Sequence, residues 1–236
     1  MEIVQGDANK LMSKLKSSSI DLVLTDPPYK DYISNRVVEK QKKIVKAKFS
    51  FKDLVDSIER VLKNDRHFYI WCDHLTYAEA FDAIDKSKTL KFKNMIVWIK
   101  NNHGAGDLFS GFAPQHEICI YGYKGKGRKF QANTVRMSDV LFKKDDKGNL
   151  SFYSKVNPKI GGHPTIKPID ILKEFILRSS KRGEVVLDPY AGSFSTMKAS
   201  LECGRKSIGF ELDKSYVSKA KTWLKNENKK KNLKTK

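Results

Sequence analysis

A chain of 236 residues can bury a sizeable core and, at that length, one α/β domain with insertions is the natural expectation. Lys and Arg outnumber Asp and Glu 46 to 27, a formal charge of +19 that points to a polyanionic partner and salt-dependent association. The start lacks a secretory pattern, no segment reaches the roughly 18 apolar residues needed to cross a bilayer, and Cys72, Cys119 and Cys203 form no Cys-x-x-Cys pair, so a soluble cytoplasmic protein without disulfide framework or structural zinc is expected.

Ile3-Val4 and Ile20 to Leu24 are predicted strands, joined by a stretch in which Leu11, Met12 and Leu15 recur at helical spacing, so the chain opens β-α-β. Phe51 to Leu62 places Leu54, Val55, Ile58, Val61 and Leu62 on one helical face and leads into an apolar strand from His67 to Trp71. Leu75 to Ile84 is predicted helical. Met95 to Ile99 and Glu117 to Tyr121 are predicted strands, expected to pair antiparallel. From His103 to Gly111, and again from Gly122 to Gly162, glycine, lysine and polar residues dominate, with Phe130, Phe142, Phe152 and Tyr153 interspersed; these stretches are insertions upon the core. Pro168 suits the first turn of a helix whose apolar face holds Ile169, Leu172, Phe175, Ile176 and Leu177, with Gly183 beyond its end. Val185 to Leu187 and Ile208 to Phe210 complete the strands, and Tyr216, Val217, Ala220, Trp223 and Leu224 mark a last helix before a lysine-rich tail.

Alternating strands and helices imply a mostly parallel sheet covered on both faces, and such sheets gather their ligands at the carboxyl ends of the strands. Asp7, Asp26, Asp188 and Glu211 all fall at such ends. Asp26-Pro27-Pro28-Tyr29 offers a carboxylate, carbonyls on a backbone stiffened by proline, and an aromatic face, groups that suit a flat base carrying an amino group. Asp188-Pro189-Tyr190-Ala191-Gly192-Ser193 has small residues where a strand passes into a helix, so backbone can approach a nucleotide-like cofactor.

Four segments in this order, Thr25 to Tyr29, His163 to Pro168, Asp188 to Ser193 and Ile208 to Glu211, resemble the circularly permuted (beta-class) amino-group DNA methyltransferases that use S-adenosylmethionine. The resemblance covers nearly the whole chain. It implies a doubly wound, mostly parallel, seven-stranded Rossmann-like sheet, permuted so that the catalytic turn precedes the cofactor turn. Residues 1–102 then form the catalytic half of the core, 103–160 a basic inserted target-recognition region, 161–225 the cofactor-binding half, and 226–236 a disordered basic tail.

For the chemistry, the resemblance implies catalytic roles for Asp26, Pro27, Pro28 and Tyr29. An aromatic amine is a poor nucleophile because its lone pair is delocalised into the ring; if Asp26 and the Pro27 carbonyl accept its hydrogens, the lone pair can be aimed at the sulfonium methyl. Tyr29 would stack on a base flipped out of the duplex. Cofactor contacts are implied for Asp7, Ala8, Asp26, Thr165, Lys167, Asp188, Tyr190, Ala191, Gly192, Ser193, Phe194, Glu211 and Leu212. Glu211, 23 residues beyond Asp188, is placed to grip ribose hydroxyls, and Asp7 to take the adenine amine. The family's turn usually reads Gly-Ser-Gly-Thr where this chain has Gly192-Ser193-Phe194-Ser195, and a ring at Phe194 is expected to disturb the cofactor's pose.

Asp at the first catalytic position points to adenine-N6 methylation, since Ser is commoner in cytosine-N4 members; cytosine-N4 transfer is the alternative, and an idle cofactor- and DNA-binding protein a further one. The resemblance also implies restriction-modification as a setting, while pairing with a restriction enzyme stays open. Double-stranded DNA is the expected partner, a homodimer is compatible with the family, and no metal is expected, Cys72-Asp73-His74 offering too few ligands. His116-Glu117 is read as structural, without a catalytic role.

Overall fold

The computed structural model describes residues 1–28, 49–100, 111–127, 129–131, 136–144, 150–151 and 166–234. Ten strands and six helices lie in these segments: β1 (Glu2–Gln5), α1 (Ala8–Lys14), β2 (Ile20–Thr25), α2 (Phe51–Val61), β3 (Leu62–Cys72), α3 (Tyr77–Asp85), β4 (Leu90–Ile99), β5 (His116–Lys124), β6 (Val140–Leu141), β7 (Lys143–Lys144), β8 (Leu150–Ser151), α4 (Ile169–Ser179), β9 (Val185–Asp188), α5 (Ser195–Glu202), β10 (Lys206–Glu211) and α6 (Lys214–Lys234). None of the described helices is long and apolar enough to cross a membrane.

Eight strands form one sheet in the order β1-β10-β9-β2-β3-β5-β4-β6. Pairing is parallel from β1 through to β3, while β5 runs antiparallel to both β3 and β4, as expected for the β4–β5 pair. β10 lies outward of β9 on one side, with the chain's first strand, β1, beyond it, and β3 lies outward of β2 on the other, so the strand order reverses between β9 and β2. Strands buried on both faces read as near-continuous apolar runs, and β2, apolar but for Asp21 and Thr25, is buried from end to end. Their alternating side chains feed two cores. Val23, Phe68, Ile70, Ile118 and Ile120 pack with Met12 of α1 and the apolar faces of α2 and α3. Leu22, Leu24, Tyr69, Trp71 and Tyr121 pack with Leu172 and Phe175 of α4 and Ala199 of α5 on the opposite face. A third cluster, built from Ala191, Phe194 and Met197 with Val217 and Ala220, seats α6.

The sheet has eight strands rather than seven. The additional strand is Val140-Leu141, from within the expected insertion, which pairs parallel with Val97-Trp98 and so covers the free edge of β4. Two strands also start earlier than their apolar runs: β3 at Leu62, followed by exposed Asn64 and Asp65, and β4 at Leu90, where exposed Lys91, Lys93 and Met95 alternate with more buried residues. Residues 226–234, expected as disordered tail, continue as helix. No proline or glycine follows Leu224, and the run is rich in good helix formers, so nothing stops α6 at the edge of the core.

Candidate active site at the sheet switch point

Open α/β sheets leave a crevice where the strand order reverses, because the helices leaving the two central strands diverge to opposite faces. Here that place is the carboxyl end of β9 and β2. β2 stops at Thr25 because Pro27 and Pro28 have no N–H for the ladder. Thr25 Oγ1 donates to Asp188 Oδ1 at 2.9 Å, joining the two acidic turns across 163 positions of sequence, and Tyr190 N donates to the same oxygen at 3.1 Å. Burial pushes the Asp188 carboxyl up to about 7 and the nearby charge of Asp26 adds to this, while hydrogen bonds from Thr196, Thr25 and Tyr190 pull the other way.

Asp26 is half-buried, and its Oδ2 accepts from Lys167 Nζ at 2.6 Å. The Lys167 side chain is only 5% exposed; its ammonium also lies 3.0 Å from Glu117 Oε2 and 5.2 Å from the centroid of the Trp71 ring. Glu117, the second residue of β5, reaches Lys100 at 3.6 Å as well. Burial opposes charge on Lys167, yet Asp26 and Glu117 together hold its ammonium above the usual lysine range. Burial likewise works against the Glu117 carboxylate, but Lys167 first and Lys100 second keep it below its ordinary value.

On the other side of the crevice the turn after β9 is tied down by its own backbone. Ala191 N donates to Phe210 O at 2.8 Å and Phe194 N to Ala191 O at 2.6 Å, with Gly192 at φ 46°. Glu211, ending β10, accepts from Gly192 N through Oε2 at 2.9 Å and from Asp213 N through Oε1 at 2.7 Å. Its backbone carbonyl accepts from Gly6 N at 2.9 Å, which brings in the end of β1, where Asp7 Oδ1 caps α1 by accepting from Lys10 N at 3.0 Å. Gly209 allows α5 to sit close on β10: a Cβ there would lie 2.2 Å from Met197 Sδ.

Asp7, Glu211, Asp188 and Asp26 therefore stand at the carboxyl ends of four adjacent parallel strands, β1, β10, β9 and β2. Pro27 is buried and Pro28 half-buried beside Asp26; Ala8 and Ala191 are buried, and Tyr190, Gly192, Ser193 and Leu212 half-buried, around the cofactor-type turn. Tyr29 and Thr165 lie outside the described residues.

Phe194 combines an unusual backbone with a buried ring. Its backbone is left-handed, φ 61° and ψ 26°, the conformation glycine takes without cost, but its ring is 3% exposed and packs with Ala191, Met197, Val217 and Ala220. The side chain is absorbed by the cluster beneath α6 and does not disturb the turn. Lys167, expected among the cofactor contacts, pairs with Asp26 and Glu117. Three participants escaped the sequence reading: Thr25 and Thr196, which hydrogen-bond to Asp188, and Glu117, which braces Lys167. The Thr directly before Asp26 was a usable signal for the first; Glu117 had none, because its partner lies 50 residues away.

The family model for DNA methylases, N6_N4_Mtase, matches residues 20–222. DNA adenine methyltransferase YhdJ of Escherichia coli (strain K12) is 28% identical over 238 residues, covering 91% of this chain and 79% of that protein. The solved structure of an M1.HpyAVI–SAM complex superposes with a TM-score of 0.66 at 20% identity, over 94% of this chain and 98% of the other. PvuII DNA methyltransferase, which is cytosine-N4-specific, superposes with a TM-score of 0.66 at 18% identity, over 92% and 83%. These two superpositions establish a common fold. The matched segment contains both acidic turns, and the chain belongs to the N6_N4_Mtase family: it is a DNA methylase whose methyl donor is S-adenosylmethionine.

Proposed function

We propose that this DNA methylase transfers its methyl group to adenine N6 of a base flipped out of double-stranded DNA, and that its core is the circularly permuted form of the fold, with the catalytic turn of β2 preceding the cofactor turn of β9 in the chain. The observation that carries the reading is the Thr25–Asp188 hydrogen bond, which fixes the turn bearing Asp26 beside the turn bearing Gly192. A base held by the first turn faces a donor held by the second.

The donor set fits the cofactor. Glu211 uses its two carboxylate oxygens on backbone N–H groups, but each oxygen keeps a lone pair for a ribose hydroxyl. Asp7 has a second carboxylate oxygen for an adenine amine, and the N-terminus of α5 follows the turn with the orphan N–H groups that favour a carboxylate. When bound, S-adenosylmethionine supplies an electrophilic methyl on a sulfonium. The protein's task is then to make an unreactive amine attack it. Asp26 accepts one amine hydrogen and the Pro27 carbonyl the other, which draws the nitrogen out of conjugation and directs its lone pair. Tyr29 stacks on the extruded base, and residues 103–160, with the lysine-rich sequence of residues 30–50, contact and read the duplex.

Adenine is favoured over cytosine by Asp, rather than Ser, at the head of the Asp26-Pro27-Pro28-Tyr29 turn, and the curated relative YhdJ is an adenine methyltransferase. Nucleoside mass spectrometry on DNA from a methyltransferase-free host expressing the chain decides the point. N6-methyladenine is the expected product; N4-methylcytosine in its place would transfer the assignment to the other amine.

A further inference from the structure

We infer that Lys167 is a positioning residue, not a cofactor contact: braced by Glu117, its buried ammonium fixes the plane of the Asp26 carboxylate at the end of β2. The inference rests on the amine-binding role proposed for Asp26.

Lys167 precedes α4 by one residue after the intervening Pro168 is counted, so its backbone is anchored to a helix packed on the sheet. From there its side chain meets a carboxylate 141 positions earlier in the chain at 2.6 Å, within the range of a strong charge-assisted bond. Glu117 holds the same ammonium at 3.0 Å, and the Trp71 ring lies 5.2 Å away. Lys100, directly after β4, adds its charge to Glu117 at 3.6 Å. The result is a row of alternating charges, Lys100, Glu117, Lys167, Asp26, that crosses from β4 through β5 to the end of β2. Each carboxylate is about three-quarters or more buried, at 24% exposure for Asp26 and 22% for Glu117.

Such an arrangement is costly as a source of stability. Desolvating a lysine and two carboxylates consumes most of their mutual attraction, and well-packed apolar side chains at all three positions would serve stability as well or better. What an apolar side chain cannot do is hold a carboxylate in one orientation. Asp26 has two rotatable bonds and sits where the strand ladder has ended, so its own backbone does not set its angle. An amine hydrogen must meet an acceptor within a few tenths of an ångström for the nitrogen to pyramidalise, and a misplacement of about 1 Å costs on the order of 100-fold in rate. Lys167 is the part that removes this freedom, and Glu117 the part that keeps Lys167 from swinging.

The test is a double-mutant cycle on the full-length chain with Lys167→Met and Glu117→Gln, measuring the single-turnover methylation rate at saturating S-adenosylmethionine, the cofactor Kd by calorimetry and the fold by thermal melting. Lys167→Met is expected to lower the rate about 100-fold and Glu117→Gln about 10-fold, with cofactor Kd changed less than about threefold in both, and the double variant no slower than Lys167→Met, because Glu117 acts only through Lys167. Two results overturn the inference: a cofactor Kd that rises by the same factor as the rate falls, or losses that multiply in the double variant. If Lys167→Met fails to fold, the isosteric Glu117→Gln carries the test by itself, and an unchanged saturating rate overturns the inference. Absence of methyl transfer by the wild-type chain on any DNA would instead remove the proposed function, a result separable from an active wild type with an indifferent Lys167.

Discussion

The chemistry of this site turns on carboxylates in unequal surroundings. Asp26 is half-buried and held by a lysine; Asp188, one strand away, is buried and held by hydroxyl and amide donors. In the proposed mechanism only the first works on a substrate amine. Asp26→Ala should therefore reduce the saturating methylation rate by about 10³-fold or more while leaving cofactor Kd within a few-fold, since the carboxylate acts on the amine in the transition state. Equal losses in rate and cofactor affinity would show that Asp26 is a binding group. Asp188 makes its mark on stability. Its folded-state value is raised from 3.8 to about 7, so between those values the native protein holds a proton that the unfolded chain has released. The stabilisation is complete below about pH 4 and is lost as pH rises through 7, the reverse of Asp21, Glu59 and Glu117, which are held low and lose their contribution on the acid side. Thermal melting of the ligand-free protein should show Tm falling by roughly 5–10 °C between pH 5 and pH 8, and Asp188→Asn should flatten that slope. A slope unaltered by Asp188→Asn would assign it to other groups.

At the scale of elements, the turn between β9 and α5 shows how a departure from a family pattern can be absorbed. Phe194 stands in a left-handed conformation that costs a non-glycine residue about 1–2 kcal/mol, and its ring recovers that by burial against α5 and α6, where removing a phenylalanine typically costs about 3–5 kcal/mol. Phe194→Gly, which restores the usual residue, should thus lower stability by about 2 kcal/mol in denaturant unfolding and leave cofactor affinity unchanged; a stabilised variant would mean that the ring contributes less than the backbone strain. Sequence patterns could not show this, because they record the type of residue and not the direction of its side chain. They were reliable where burial imposes periodicity. The apolar faces of α2 and α4 and the continuous runs of β2 and β9 each announce a neighbour on the sheet, and the placing of acidic residues at strand ends followed from the β-α alternation alone. Legibility failed where no such pressure acts. The polar starts of β3 and β4 extend past the helical layers, β6 is two residues long and exists only as an edge partner, and the Lys167–Asp26 and Glu117–Lys167 pairs join residues that no local pattern connects.

Across the whole molecule, the charge of the surface and the charge of the site have opposite signs. The chain carries +19, yet four adjacent strands of its sheet end in Asp7, Glu211, Asp188 and Asp26. A basic exterior draws in the phosphate backbone of DNA without regard to sequence, whereas an acidic crevice repels phosphate and admits a neutral base on one side and a sulfonium cation on the other. Under the proposed mechanism the polyanion is thereby kept at the surface while a single uncharged base enters. The two binding events should consequently respond differently to salt. Displacement of counterions by about 6–10 phosphate contacts would weaken DNA binding by roughly 10³-fold or more between 50 and 200 mM salt, while the cofactor, on the proposed site between the sheet's strand ends, should change its Kd by less than about threefold over that range. Fluorescence anisotropy with a labelled duplex and calorimetry with S-adenosylmethionine, run on the same protein across the same salt series, measure both. A flat dependence for DNA would remove the basic surface from the recognition of the duplex, and an equally steep one for the cofactor would mean that its site is open to solvent rather than set within the sheet.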